Sequence, residues 1–318
     1  MPDLVTLGET MVLLKPFSER GRLKSSQYLS KSIGGAESNV AIGVSRLGHS
    51  ARWISKLGKD PFGEEILYHL NAEHVDTSCV AVSSVHPTGM MLKEQIRGGD
   101  TSVYYYRSQS AASTLSPADI REKWIADARV LHLTGITPAL GDSCRDALLY
   151  AIEIAKKHQV KISFDPNLRL KLWTIEQARG ILLSIAKEAD FFFPGLSEAR
   201  LLLDSPKASA DEVVNAFLDM GISQVVVKLG PEGCLYATPN ERFYTPGFPV
   251  TEVDSVGAGD GFCAGYLAGW FKGWTAEKCA RLAAATGALA VTEPGDYEAL
   301  PTMEEAEHLL EQTKIIHR

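Results

Sequence analysis

From Ala118 to Gly230 the chain alternates between short apolar runs and longer stretches of helical period. Residues 118–128 (ADIREKWIADA), 143–159, 174–189, 196–204 and 210–221 place apolar side chains three and four apart, as helices do. Between them stand RVLHLTG (129–135), KISFDPN (161–167), DFFFP (190–194) and SQVVVKLG (223–230), short enough and apolar enough to be strands buried on both faces. Strands joined through helices run parallel, because each crossover returns the chain to the same end of the sheet. The fold class is therefore α/β, and a ligand is expected beyond the carboxyl ends of the strands.

Two stretches break this rhythm. LVTLGETMVLLKPF (4–17) and YLSKSI (28–33) read as strands joined by a polar turn around Glu19–Lys24. TGMMLKEQIR (88–97) and TSVYYYR (101–107) read as a hairpin around Gly98–Asp100. Between them, 34–48 and 60–74 return to helical period. Two strand pairs set into an α/β core predict a small β-sheet projecting from it. No repeat or linker divides the chain, so the expectation is one domain, 1–318, with lid segments at about 10–33 and 86–110.

Composition excludes several functions. A net charge of −7 with no Lys/Arg-rich run argues against nucleic acid. No apolar stretch reaches membrane-spanning length, and the amino terminus has no basic segment of the kind that directs secretion, so a cytoplasmic protein is expected. The five cysteines are scattered and form no CxxC pair, so neither disulfides nor a protein metal site is expected.

Three motifs carry chemistry. In DSVGAGDGF (254–262), Gly257, Ala258 and Gly259 expose successive backbone N–H groups at a helix entrance, an anion hole for a phosphate. Asp260 in that first turn either merely complements the helix dipole or stands as a general base where a phosphoryl group and a hydroxyl meet; a carboxylate in that positive field is expected to keep a low pKa. No Walker-type lysine follows, so this is not a P-loop. GGAESNVA (34–41) offers a glycine pair that lets a ligand approach the backbone or the lid swing, with Asn39 able to hydrogen-bond hydroxyls. FDPNLRLKLW (164–173) follows a strand, and its Asp165 and Arg169 either pair with each other or face a ligand.

The early glycine pair, VKLGPEG (227–233) and DSVGAGDGFCAGY, in this order and spacing, resemble the PfkB (ribokinase-like) carbohydrate kinases over nearly the whole chain. The resemblance implies a parallel α/β core with a β-lid, an ATP-dependent kinase, and magnesium carried on the nucleotide. Within the family, GGAESNVAIGVSRLG, YYYRSQSAAS, FDPNLRLKLW and VTEPGDYEALPT are similar to 2-keto-3-deoxygluconate kinases. That likeness implies a sugar-acid site of Gly34, Tyr105, Arg107, Ile136, Arg169, Asp260 and Asp296. It implies an ATP site of Ser197, Lys228, Gly230, Gly233, Gly257 and Gly259. Arginines suit a substrate carboxylate, which they grip in a fork. The Tyr104–Tyr106 run puts two tyrosines on one strand face and one on the other. A monovalent cation such as potassium near Thr292–Gly295 is a further implication, and the uncovered edges of the lid sheet predict a homo-oligomer built through the lid.

The chain departs from the family pattern where an Asn-x-x-Glu is common: Gly195-Leu196-Ser197-Glu198 leaves Glu198 to act without the Asn. Met91 replaces a Tyr, and Ser255-Val256 a Thr pair. A fructokinase or a 5-dehydro-2-deoxygluconokinase shares every core motif. A catalytically silent sugar or nucleotide sensor would lack the base that Asp260 supplies.

Overall fold

A computed structural model describes residues 1–17, 22–95 and 101–316. The turns expected around Glu19 and around Gly98–Asp100 fall at least partly outside these residues. In chain order the strands are β1 (Leu4–Leu7), β2 (Met11–Pro16), β3 (Leu29–Gly34), β4 (Ala51–Gly58), β5 (Val80–Ser83), β6 (Met90–Gln95) and β7 (Thr101–Tyr106). Then follow β8 (Val130–Thr134), β9 (Lys161–Asp165), β10 (Phe191–Phe192), β11 (Val225–Lys228), β12 (Gly233–Ala237) and β13 (Arg242–Pro246). Nine form one sheet in the order β13-β12-β11-β10-β9-β8-β1-β4-β5, and four form a second, β3-β2-β6-β7.

From β5 to β11 the large sheet is parallel. Its far edge is an antiparallel hairpin, β12–β13, which the alternation did not foretell. The run 4–17 also divides. Leu4–Leu7 is a central strand of the large sheet, hydrogen-bonded to β4 and β8, and only Met11–Pro16 belongs to the small one. Gly8-Glu9-Thr10 is the break, and Gly8 must be a glycine because a Cβ there would overlap the Glu37 carboxyl.

Period-two burial on both sheet faces organises the core. Phe192 faces one side, stacked on Phe164 and edge-on to Phe217 with centroids 5.1 Å apart. Its neighbours Phe191 and Phe193 face the other side, against Tyr266. The segment 118–128 is not one helix. A 3₁₀ turn at Pro117–Asp119, closed by Ser116 and Asp119, is separated from the helix Glu122–Ala126 by extended Arg121.

The helix Ala258–Phe271 is buried on nearly every side, which explains its lack of charge beyond Asp260. It packs along Ala276–Leu289, and Gly265 and Gly269 let the two backbones approach: a Cβ at Gly265 would overlap Thr286 Oγ1. No helix among the described residues is long and apolar enough to cross a membrane.

Candidate active site

The small sheet covers the carboxyl ends of the parallel strands, and a cavity of about 480 Å³ lies between them. That volume falls within the ordinary range for a small-molecule site. The lid contributes Met11, Leu13, Met91, Lys93 and Tyr105 to its walls. Facing them are Asn39, Asp165, Arg169, Lys228, Asp260 and Asp296 from the core.

Asp260 lies in the first turn of its helix, which Gly257 enters with φ +83°, a left-handed backbone that favours glycine. The N–H groups of such a first turn have no intrahelical partner, and Gly257, Gly259 and Asp260 line the cavity. Asn39 Nδ2 donates to Asp260 Oδ2 at 2.8 Å. Burial pushes the Asp260 carboxyl up to about 8; Asp165 adds to this, while Asn39, Arg169 and Lys228 oppose it. The low pKa expected from the helix dipole is therefore corrected. A helix end offers less than about 2 kcal/mol, whereas desolvation of a buried carboxylate can raise its pKa far more than that offsets.

Beside this helix entrance, Lys228 Nζ is 2.5 Å from Asp165 Oδ2. Burial alone would lower the lysine's pKa, but Asp165 and Glu198 outweigh it and hold the ammonium charged. A Cβ at Gly259 would come 3.3 Å from that ammonium, so the lysine sits directly under the helix entrance. Asp165 Oδ1 also accepts from the N–H of Asn167, whose φ of +35° bends the strand-end loop toward the cavity. Glu198 lines the cavity too, accepting from the N–H groups of Gly195 and Leu168 at 2.9 and 2.8 Å. Its carboxylate thus ties the strand-end loop to a helix start, and burial followed by Asp165 raises its pKa.

The sugar-side residues converge, though not all are free. Arg107 is buried and clamped on Glu9, with Nε at 2.7 Å and Nη2 at 2.5 Å from Oε2, while Ser110 donates to the other oxygen. Its positive charge is already matched. Arg169 borders the same cavity, is exposed, and forms no ion pair with another described residue, Asp165 included. Tyr105 faces the cavity, with the Arg107 guanidinium 5.5 Å from its ring. Tyr104 and Tyr106 point to the outer face of the lid, 47% and 59% exposed, so alternation sorts them as period two requires. Ile136 lines the wall after β8.

Gly34 meets the protein's own Asp296: a Cβ would overlap that carboxylate and press on Met91. Gly35 is extended, at φ −178°, so the pair is required for space rather than for unusual dihedrals. Burial pushes Asp296 up to about 6, against the pull of Lys93.

Of the expected ATP residues, Lys228, Gly257 and Gly259 line the cavity; Ser197, Gly230 and Gly233 are not among the described residues that do. Gly233 has φ +103°, and a Cβ there would overlap Thr245 O, which accounts for the glycine through the β12–β13 hairpin. Sequence reading missed Glu9 and Lys93. The signal for Glu9 was the Gly-Glu-Thr break in an apolar run; for Lys93 it was its two-residue spacing from Met91 on one strand face.

Comparison with known proteins agrees with this geometry. The model of the pfkB family carbohydrate kinases matches residues 1–303. The chain is 39% identical to the 2-dehydro-3-deoxygluconokinase of Bacillus subtilis, over 99% of this chain and 98% of that one. It is 32% identical to the probable fructokinase-7 of Arabidopsis thaliana, over 98% and 93%. A putative ribokinase II of E. coli, solved in complex with ATP and Mg2+, superposes with a TM-score of 0.90 at 29% identity, covering 98% of this chain and all of that one. The fold, the cavity and these likenesses together make the chain a member of the pfkB family of carbohydrate kinases, an ATP-dependent sugar kinase.

Proposed function

We propose that this kinase transfers the γ-phosphoryl group of ATP to the C6 hydroxyl of 2-keto-3-deoxygluconate, giving 2-keto-3-deoxy-6-phosphogluconate. The observation that carries the choice of a sugar acid is Arg169, a guanidinium without an ion-pair partner among the described residues, bordering the cavity that holds Asp260. A planar fork of donors suits a carboxylate, whereas a neutral ketohexose gives it no charge to bind.

Asp260 takes the proton of the substrate hydroxyl as its oxygen bonds to the γ-phosphorus and the bond to ADP breaks. A carboxyl near pKa 8 is matched to that task close to neutral pH. The amides of Gly257–Asp260 and the ammonium of Lys228 receive the charge spreading over the phosphoryl oxygens. The lid, with Tyr105, Met11 and Met91 over the cavity, excludes water that would otherwise hydrolyse the nucleotide.

Magnesium fits as a nucleotide-borne ion. Among the described residues no group of three or more ligating side chains forms a cage, while Asp165 and Glu198 border the cavity where phosphates would lie. When bound, it neutralises phosphate charge. A potassium ion near Thr292–Gly295, held by the carbonyls of that loop, belongs to the same proposal.

The proposal includes a single cytoplasmic domain that self-associates through the lid. Its outer face exposes Leu29, Tyr104 and Tyr106, and β3 and β7 are edge strands. A coupled ADP-release assay across fructose, 2-keto-3-deoxygluconate and other sugar acids tests the reaction. Greater kcat/KM on fructose, or on 5-dehydro-2-deoxygluconate, overturns the assignment in favour of the corresponding relative.

A further inference from the structure

Lys93 is a buried cation that the transfer step above does not use. It rises from β6 on the cavity face of the lid, 7% exposed. Its Nζ lies 2.6 Å from Asp254 Oδ2 and 3.9 Å from Asp296 Oδ1.

Both carboxylates belong to core segments that shape the phosphate end of the site. Asp254 opens the loop to the anion hole: its Oδ1 accepts from the N–H of Val256 at 3.3 Å, and its Oδ2 from that of Gly295 at 3.4 Å. The backbone carbonyl of Asp296 lies against Gly257, and its carboxylate against Gly34. One lid ammonium thus holds two core loops on either side of the glycine that begins the phosphate-binding helix. A second lid strand reaches the same region through the Ser32 hydroxyl, which donates to Glu298.

We propose that Lys93 is a positioning residue: through Asp254 and Asp296 it makes seating of the lid and ordering of the Ser255–Gly259 amides a single event. The inference rests on the sugar-kinase activity and is independent of which sugar is used.

The charges facing Asp296 are Lys93, Asp254, Glu298 and Lys15. Without the Lys93 ammonium, the carboxylates of Asp254, Asp296 and Glu298 would confront one another, with Lys15 near Asp296 and Arg46 near Glu298 to offset them. Like charges in a buried site repel, and the loop carrying Ser255–Gly257, exposed to half-buried, can yield to them. The reacting groups would then be held less well, although none has been altered.

The test compares the full-length kinase with Lys93→Met, Lys93→Arg, Asp254→Asn and the Lys93→Met/Asp254→Asn pair. Lys93→Met should lower turnover roughly 10–100-fold, the scale of a small misplacement of reacting groups. Lys93→Arg should restore most of it, and the double variant should be no slower than the worse single one. Hydrogen exchange should quicken at the amides of Val256 and Gly295, remote in sequence from the substitution. Turnover within twofold of the parent, losses that multiply in the double variant, or faster exchange confined to β6 and β7 would each overturn the proposal. Should Lys93→Met fail to fold, Asp254→Asn is read at the lid instead: quicker exchange in β6 and β7, remote in sequence from the substitution, supports the coupling, and unchanged exchange there overturns it.

Discussion

Asn39 and Asp260 are 221 positions apart in the chain, yet the amide of one donates to the carboxylate of the other at 2.8 Å. The bond joins helix Ala36–Arg46 to helix Ala258–Phe271, and it favours the ionised form of a carboxyl that burial drives toward neutrality. The proton affinity of Asp260 is therefore set by a balance between the two.

Asp260→Asn keeps the shape of the side chain but cannot accept a proton. Turnover should fall about 10²–10⁴-fold with modest change in either KM, as measured by steady-state ADP release. A variant retaining most of its turnover would remove Asp260 from the role of base.

The same substitution should stabilise the ligand-free protein in alkali. A pKa raised from 3.8 to about 8 means that this group's favourable contribution is complete below about pH 4 and is lost as pH rises through 8. Each tenfold change in proton affinity is worth about 1.4 kcal/mol, so at pH 9 the gain of Asn over Asp should reach a few kcal/mol. Thermal melts of both proteins between pH 5 and 9 should diverge as pH increases.

Asn39→Ala removes the donor that favours the ionised form of Asp260. The acidic limb of kcat/KM, expected near pH 8 in the parent enzyme, should move higher. At pH 7 the loss should be about tenfold, with recovery in more alkaline buffer. An unshifted limb would show that the contact has no influence on the base.

Arg169→Ala should raise KM for the sugar acid and leave KM for ATP nearly unchanged. A charge-assisted hydrogen bond is worth about 1.5–3 kcal/mol, or roughly 10–150-fold. Fructose, if turned over at all, should be indifferent to the change.

Gly257→Ala introduces a Cβ into the Asp296 carbonyl at φ +83°. The left-handed backbone alone costs about 1–2 kcal/mol, and the displaced helix entrance should lower turnover at least tenfold. Comparing its melting temperature and kcat with the parent separates strain from misplacement.

Periodicity and short motifs determined much of this protein. The helix–strand alternation after Ala118 prescribed a parallel sheet, and the glycines before Asp260 marked a helix start that borders the cavity. These are local properties: a repeat of two or 3.6 residues, or a glycine at a turn, is written in neighbouring positions. Tertiary structure decided what depends on burial and on distant partners. It assigned Leu4–Leu7 to the large sheet, because both its faces are covered by elements far along the chain. It matched Arg107 to Glu9, leaving Arg169 as the arginine of the site without an ion-pair partner among the described residues. It placed Lys93 against Asp254, 161 positions away. It also reversed the expected pKa of Asp260, because desolvation is a property of everything packed around a group, and no window of sequence contains it.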